Sequence, residues 1–197
     1  MASKLSPRTK VAATVITVAI AGSSSIAVSA AATNKAATAA KAPKTVTATK
    51  ITRPPGTLAS GTRVRPAAIF SQRVFTDGKH GFALASVAGA DYPVATSDGG
   101  KTWKTDGPAL HLHAAQAPLA VTFIGAVSRK TIFAWGGGQV IDTTNDGGKH
   151  WYRALFQGAP VAVAQDLQRH LNAFVGSSSG TGTVRYVSRD GGRTWHR

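Results

Sequence analysis

Short apolar stretches alternate with turns that contain Gly and Asp from about Arg65 to the end of the chain. Val, Phe, Ile, Thr and Tyr recur in these stretches, which is typical of β-strands. Ala164–Leu171 has the only helical pattern, and it fits a strand, a turn and the next strand equally well. The predicted fold class is therefore all-β. The predicted strands are Ala68–Phe75, Gly81–Val87, Tyr92–Thr96, Ala120–Ile124, Thr131–Ala134, Val140–Thr144, Val161–Ala164, Ala173–Val175 and Val184–Ser188.

One eight-residue segment occurs three times without gaps. The copies read TSDGGKTW at Thr96–Trp103, TNDGGKHW at Thr144–Trp151 and SRDGGRTW at Ser188–Trp195. Their aspartates lie 48 and 44 residues apart, which is the length of one four-stranded propeller blade.

Each position of the repeat has a predicted structural task. The Asp carboxylate accepts hydrogen bonds from the backbone N–H groups that follow it, which closes the turn. The two glycines adopt the positive φ that a tight hairpin needs, and the Trp packs apolar area into the blade. The predicted structural residues are Asp98, Gly99, Gly100, Trp103, Asp146, Gly147, Gly148, Trp151, Asp190, Gly191, Gly192 and Trp195.

These repeats resemble the Asp-box, or BNR, repeat of sialidases, sortilin-type receptors, xyloglucanases and photosystem II assembly factors. The resemblance covers residues 65–197 and implies about three four-stranded blades of a β-propeller. The phrase FTDGKHGFALAS before the first copy is most similar to assembly-factor-like bacterial proteins, which use the propeller as a binding platform. Closed propellers have four to eight blades, so we expect a fragment, an open wedge, or two copies that close one ring.

The N-terminal region has a different composition. Lys4, Arg8 and Lys10 precede the apolar run Val11–Ile20, and small residues follow up to Ala32. This pattern predicts a signal peptide of the Sec type over residues 1–30, or an uncleaved N-terminal anchor, and hence a secreted or cell-envelope protein. Residues 31–64, rich in Ala, Thr, Lys and Pro, are predicted to be a disordered linker.

The net charge of +15 is concentrated at this end, because residues 1–66 hold ten Lys and Arg and no acid. A basic linker of this kind can contact anionic envelope polymers. It has no interleaved aromatic residues, so nucleic acid is an unlikely partner. The chain has no Cys, which excludes disulfides and thiolate metal sites.

Catalysis of the sialidase type is not expected, because all eight acids are Asp and the Tyr–Glu pair of that family cannot form. Tyr92, Tyr152 and Tyr186 are expected to pack within the blades. A hydrolase with two carboxylates would have to use the five aspartates outside the repeats, of which Asp142 and Asp166 fall in strand-like stretches. The other three are Asp77, Asp91 and Asp106.

Cofactors and metals are not predicted. His111 and His113 share one face of an extended segment, but the sequence indicates no third ligand. The glycine runs at Gly136–Gly138 and Gly176–Gly182 are interpreted as hairpin turns, not as phosphate loops.

The sequence thus predicts an exported, non-enzymatic binding module of the bacterial envelope that contacts a protein or a glycan. The first alternative is a secreted glycoside hydrolase, sialidase-like or otherwise, that is partial or inactive. The second alternative is an assembly or stability factor for a membrane complex. A homodimer that closes the propeller is a further expected partner.

Overall fold

The computed structural model describes residues 43–114, 118–177 and 182–197, and the predicted signal segment lies outside them. Among these residues no helix has the length and apolarity that a membrane crossing requires. The described elements are one short 3-10 helix, η1 (Pro66–Ala68), and the strands β1 (Thr45–Thr47), β2 (Thr49–Lys50), β3 (Arg63–Val64), β4 (Val74–Phe75), β5 (Gly81–Val87), β6 (Ala90–Thr96), β7 (Trp103–Thr105), β8 (His111–Leu112), β9 (Phe123–Ala126), β10 (Ile132–Trp135), β11 (Val140–Thr144), β12 (Tyr152–Leu155), β13 (Pro160–Gln165), β14 (Leu171–Gly176), β15 (Thr183–Ser188) and β16 (Thr194–His196).

The strands form three sheets, which we call blades 1, 2 and 3 in chain order. Blade 1 has the order β3-β7-β6-β5-β4 with β8 added beside β6, blade 2 has β2-β12-β11-β10-β9, and blade 3 has β1-β16-β15-β14-β13. Every strand pair is antiparallel, as short hairpin connections require. The prediction of an all-β, partial propeller is confirmed, and Ala164–Leu171 is the end of β13, a turn and the start of β14.

Local sequence explains the hairpins. Ala88 and Gly89, with φ of 49° and 75°, form the two-residue turn between β5 and β6. Two successive positive φ values match the right-handed twist of the flanking strands. Gly136 and Gly137, with φ of 86° and 75°, connect β10 to β11, so the first glycine run is a hairpin turn. Part of the second glycine run lies outside the described residues.

Apolar layers between the blades form most of the core. Phe82 and Leu84 of blade 1 pack with Ile132 and Trp151 of blade 2. Residues of blades 2 and 3 form the next layer, in which Phe156 makes edge contacts with Tyr186 and Trp195. Alternate residues of each strand face opposite neighbours, so the central blade is apolar on both faces.

Residues 43–64 are ordered, which corrects the prediction of a disordered linker over this part of residues 31–64. Strands β1, β2 and β3 add to the outer edges of blades 3, 2 and 1 in that order, so one segment crosses all three blades. Val46 and Val64 are buried in the core although the surrounding composition is polar. The composition of this segment predicted disorder because the segment has few apolar side chains of its own. The free edges of the blades supply the backbone partners that order it.

The two outer faces of the array differ from the layers between the blades. Leu58 and Ile69 pack on the outer face of blade 1. On blade 3, Asn172 occupies the position that Phe133 has on blade 2. The Asn172 Oδ1 atom accepts hydrogen bonds from Arg185 Nε at 2.9 Å and Nη2 at 2.6 Å. Phe174, two residues further along β14, is exposed on the same face, which is therefore partly polar and partly apolar.

Candidate functional site

The Asp-box hairpins close through a repeated set of hydrogen bonds. In the first box, Asp98 Oδ1 accepts from the Thr102 N–H at 2.9 Å, and Asp98 Oδ2 accepts from the Thr102 hydroxyl at 2.6 Å. The Thr96 hydroxyl donates to Asp98 Oδ1 at 2.7 Å. Bonds from Thr102 and then from Thr96 hold the pKa of the Asp98 carboxyl well below its usual range. This carboxylate is therefore ionised and uses both of its oxygens in hydrogen bonds within the turn.

The second box differs from the other two in its tryptophan contact. The indoles of Trp103 and Trp195 each donate to a carbonyl of their own box, Gly100 and Gly192, at 3.0 Å. The indole of Trp151 instead donates to the Asp106 carbonyl of blade 1 at 2.8 Å. This box therefore joins two blades in addition to closing its own hairpin.

The proposed two-carboxylate pair is not formed. Asp142 lies in β11 and is fully buried, and its oxygens accept from Arg153 Nε at 2.8 Å and Nη2 at 2.6 Å. Burial raises the pKa of the Asp142 carboxyl, and Arg153 partly opposes this rise. Asp166 lies in the β13–β14 turn, where it accepts from two backbone N–H groups at 2.9 Å. The prediction of a strand position is therefore confirmed for Asp142 and wrong for Asp166, and both carboxylates are engaged in hydrogen bonds.

The three tyrosines are placed by packing. Tyr92 and Tyr186 are buried, and the guanidinium of Arg193 lies 4.5 Å from the ring centre of Tyr152. The Tyr92 hydroxyl accepts from the Leu58 N–H at 3.1 Å, which attaches the N-terminal segment to blade 1. The Tyr186 hydroxyl donates to the Pro43 carbonyl at 3.0 Å, which attaches it to blade 3.

His111 and His113 have a common partner that sequence reasoning missed. Both imidazoles contact the carboxylate of Asp91, at 3.0 Å and 2.8 Å. Asp91 lies in β6, next to β8 in the sheet, but 20 residues away in the chain. The sequence indicated no third group beside the two histidines because the β6–β8 pairing was not predicted, and the structure places Asp91 there.

A cleft lies between blades 1 and 2, at the end of the blades where the Asp boxes are. Its volume is about 350 Å³, with Phe82 and Ala95 among its apolar lining residues. His80, Lys104 and Arg129 supply its basic side chains. Neither Lys104 nor Arg129 forms an ion pair within the described part of the chain.

The strand pairing next to the cleft places two cations side by side. Arg63 of β3 lies directly opposite Lys104 of β7, and both are exposed. Like charges directly opposite each other in an antiparallel pair destabilise the sheet. An anionic group bound here would relieve this repulsion, so the arrangement favours an anionic ligand.

Asp106 is the carboxylate that lines the cleft. Burial, and then the charge of Asp146, raises the pKa of Asp106 to about 6. Asp146 itself is engaged in the second box, where it accepts from the Thr144 hydroxyl at 2.9 Å and from the His150 N–H at 3.0 Å. Below about pH 6 the cleft is therefore predominantly cationic.

A family model described as the BNR/Asp-box repeat matches residues 186–197, which contain the whole of the third box. The first and second boxes form hairpins of the same geometry. The match thus identifies a BNR/Asp-box repeat in blade 3 of a partial propeller fold.

Two solved structures are similar to this BNR-repeat chain. The structure of YCF48 bound to a D1 peptide has 19% sequence identity and a TM-score of 0.40, with 64% of this chain and 37% of that chain covered. The structure of YCF48 from Cyanidioschyzon merolae has 24% identity and a TM-score of 0.41, with 70% and 39% covered. The chain thus spans less than two-fifths of the length of these structures. No curated protein matches it.

Proposed function

We propose that this chain is a non-enzymatic binding module that recognises an acidic segment of a partner protein in the cleft between blades 1 and 2. The observation that carries the proposal is the opposed pair Arg63 and Lys104, together with Arg129 across the cleft. These cations have no ion-pair partners among the described residues. An acidic ligand would supply the missing charge.

The overall charge of the described residues supports an acidic partner. Five of the twenty-three Lys and Arg residues precede residue 43, so eighteen accompany the eight Asp residues in the described part of the chain. Three of these carboxylates close the Asp boxes, and one is buried against Arg153. Few carboxylates are therefore left to neutralise the exposed cations.

The apolar lining indicates a peptide more than a glycan. Phe82 and Ala95 line the cleft beside the basic side chains of Lys104 and Arg129. An apolar lining beside unpaired cations suits a ligand that contains both acidic and apolar residues. YCF48, in the solved structure above, is bound to a D1 peptide.

The first test uses two synthetic, capped peptides, one of alternating Glu and Phe and one with Gln in place of Glu. Fluorescence anisotropy of the labelled peptides with the full chain is measured at about 0.05 M and about 0.3 M salt. We expect the Glu peptide to bind more tightly, and binding to weaken with salt. Equal binding of the two peptides would contradict the proposal.

A matched pair of double variants locates the site. Lys104→Glu/Arg129→Glu should weaken binding of the Glu peptide at least tenfold. Lys44→Glu/Arg189→Glu changes the net charge equally at exposed positions away from the cleft, and it should retain most of the affinity. Equal losses in the two variants would mean that net charge alone attracts the peptide.

A panel of fluorogenic glycosides tests the hydrolase alternative. Asp106 is the carboxylate whose raised pKa would suit a general acid. Turnover by the parent chain that Asp106→Asn abolishes would overturn the non-enzymatic proposal.

Export to the envelope, action as an assembly factor, and pairing of two copies are further proposals, which the sequence pattern motivates. Pairing through the outer face of blade 3 would cover the exposed Phe174 and the Asn172–Arg185 contact. Light scattering of the full chain measures whether two copies associate.

A further inference from the structure

We propose that Asp91, His111 and His113 form a binding site for a divalent transition-metal ion of the zinc class. The three residues lie at the end of blade 1 that is opposite the Asp boxes, so the site is separate from the cleft. The inference does not depend on the proposed function.

The geometry suits one ion. The His111 Nδ1 atom is 3.0 Å from Asp91 Oδ2, and the His113 Nε2 atom is 2.8 Å from Asp91 Oδ1. The three potential ligand atoms all lie within 4.8 Å of one another. A tetrahedral zinc ion with bonds of about 2.0–2.1 Å separates its ligands by about 3.3 Å. Each nitrogen–oxygen distance would have to lengthen by a few tenths of an ångström, and the two nitrogens would have to approach each other by at most about 1.5 Å, which side-chain rotation of the half-exposed His113 can supply.

The backbone explains how both imidazoles reach one point. His111 is in β8, and its residue pairs directly with Asp91 of β6. His113 is two residues further on, and its N–H donates to the Gly89 carbonyl at 2.8 Å, which fixes the chain over the β5–β6 turn. His111, which is directly opposite Asp91, contacts it through Nδ1, the ring nitrogen closer to the backbone. His113 contacts it through Nε2, the nitrogen at the far end of the ring. The ring centres are 5.8 Å apart.

Burial distinguishes a ligand set from a surface cluster. The side chains of Asp91 and His111 are 10% and 14% exposed, and that of His113 is 48% exposed. The carboxylate is thus held in place, and one side of the cluster faces solvent. An ion bound there would keep an open coordination position for water, for the Ser86 hydroxyl 3.1 Å from His113 Nε2, or for a partner's donor group.

Three other His–Asp contacts within the described residues provide an internal comparison. His80 with Asp77, His150 with Asp146 and His170 with Asp166 are each three or four residues apart, so the turn that contains them explains the contact. Each has one imidazole and one carboxylate. The Asp91 cluster has two imidazoles and joins segments 20 and 22 residues apart, which turn geometry does not explain.

The donor set indicates which ions bind. Two imidazole nitrogens and one carboxylate suit zinc, nickel or copper ions, whereas magnesium and calcium ions prefer oxygen ligands only. Binding would connect the β5–β6 hairpin to the segment after β7, and it would therefore stabilise this end of blade 1.

Calorimetric titration of the full chain with zinc chloride tests the site, using protein made without a polyhistidine tag and treated with a chelator. We expect one zinc ion per chain, a higher melting temperature with zinc, and no such change with magnesium. His111→Ala and His113→Ala should each weaken zinc binding by more than about tenfold. Loss of a group that only supports a ligand already costs about tenfold or more, and loss of a direct ligand should cost at least as much.

His170→Ala is the matched control, because it removes a histidine that contacts one Asp only. It should retain the stoichiometry and the affinity of the parent chain. His113 is half exposed, so the melting temperature of His113→Ala without zinc should equal that of the parent and show that it folds. Absence of zinc binding to the parent, retained binding in the two cluster variants, or equal loss in His170→Ala would each overturn the proposal.

Discussion

At the residue scale, the tryptophan of the second box differs from those of the other two boxes in its hydrogen-bond partner, and this difference gives Trp151 a second role. Its indole fills the layer between blades 1 and 2 and donates to the Asp106 carbonyl. A Cβ atom at Gly107 would lie 2.3 Å from the Trp151 Nε1 atom, so the glycine is required for this close approach. One aromatic residue thus connects a hairpin to the neighbouring sheet.

Trp151→Ala should lower the free energy of unfolding by about 3–5 kcal/mol, because it leaves a large cavity between two blades. Urea denaturation followed by circular dichroism measures this change. Trp135→Ala, at a partly exposed position of the same blade, should cost less. An unchanged midpoint for Trp151→Ala would mean that the blade interpretation is wrong.

Asp106 should make stability depend on pH. Its pKa is about 6 in the folded chain and 3.8 in the unfolded reference, so the folded state holds the proton more tightly. Its contribution to stability is complete below about pH 3.8 and is lost as the pH rises through 6. Asp106→Asn should therefore be more stable than the parent above pH 6, by about 3 kcal/mol, and nearly equal to it near pH 3.

Thermal unfolding of both proteins across this pH range gives the comparison. Asp77→Asn is a suitable control, because hydrogen bonds from the His80 and Lys79 backbone lower the pKa of Asp77 to about 2. Its effect should have the opposite sign. A difference between Asp106→Asn and the parent that is constant with pH would contradict the assignment.

At the element scale, the most consequential feature is the segment that contains β1, β2 and β3. It uses few side chains and depends on backbone pairing with β16, β12 and β7. Additional bonds, from Arg197 N–H to the Lys44 carbonyl and from Ile51 N–H to the Trp151 carbonyl, continue these pairings. The segment covers three sheet edges that would otherwise be open to other chains.

Val46→Asp should detach β1 from blade 3, because Val46 is buried against the core while its neighbours in β1 are exposed. We expect a loss of about 2–5 kcal/mol in the free energy of unfolding. Thr47→Asp places the same charge one residue away on the exposed face, and it should change stability by less than about 0.5 kcal/mol. Equal effects would show that β1 does not pair as described.

At the scale of the whole molecule, one buried ion pair connects the blades. Arg153 of β12 donates to Asp142 of β11 and also to the carbonyl of Leu110, in the segment of blade 1 between β7 and β8. A buried charge without its partner is costly, so the pair holds blade 2 and this segment in one arrangement. Leu110 precedes the His111–His113 cluster directly, so the same contact positions the proposed metal site.

Asp142→Ala should destabilise the protein by about 3–5 kcal/mol, because it leaves the Arg153 guanidinium without its carboxylate. The sequence alone suggests a small cost, since Asp142 lies outside the boxes. Chemical denaturation distinguishes the two expectations, with Asp166→Ala as an exposed turn control. Asp142→Leu/Arg153→Met, which removes both charges, should recover much of the lost stability.

The sequence by itself determined the repeat and its local geometry. The Asp, the two glycines and the Trp of each box act within eight residues, so their spacing specifies a hairpin without knowledge of distant contacts. The blade period then follows from the distance between copies, and the all-β fold follows from the period. The turn chemistry of the Asp and the glycines can be predicted because both partners of its hydrogen bonds lie in the same short segment, whereas the bond from Trp151 to Asp106 could not be predicted.

Only the tertiary structure decided what depends on long-range pairing. The order of residues 43–64 comes from sheet edges that form far along the chain. The Asp91 cluster needs the β6–β8 pairing, and the opposed Arg63 and Lys104 need the β3–β7 register. A strand's own residues do not specify its partner, so the cleft and the proposed metal site are properties of the assembled blades.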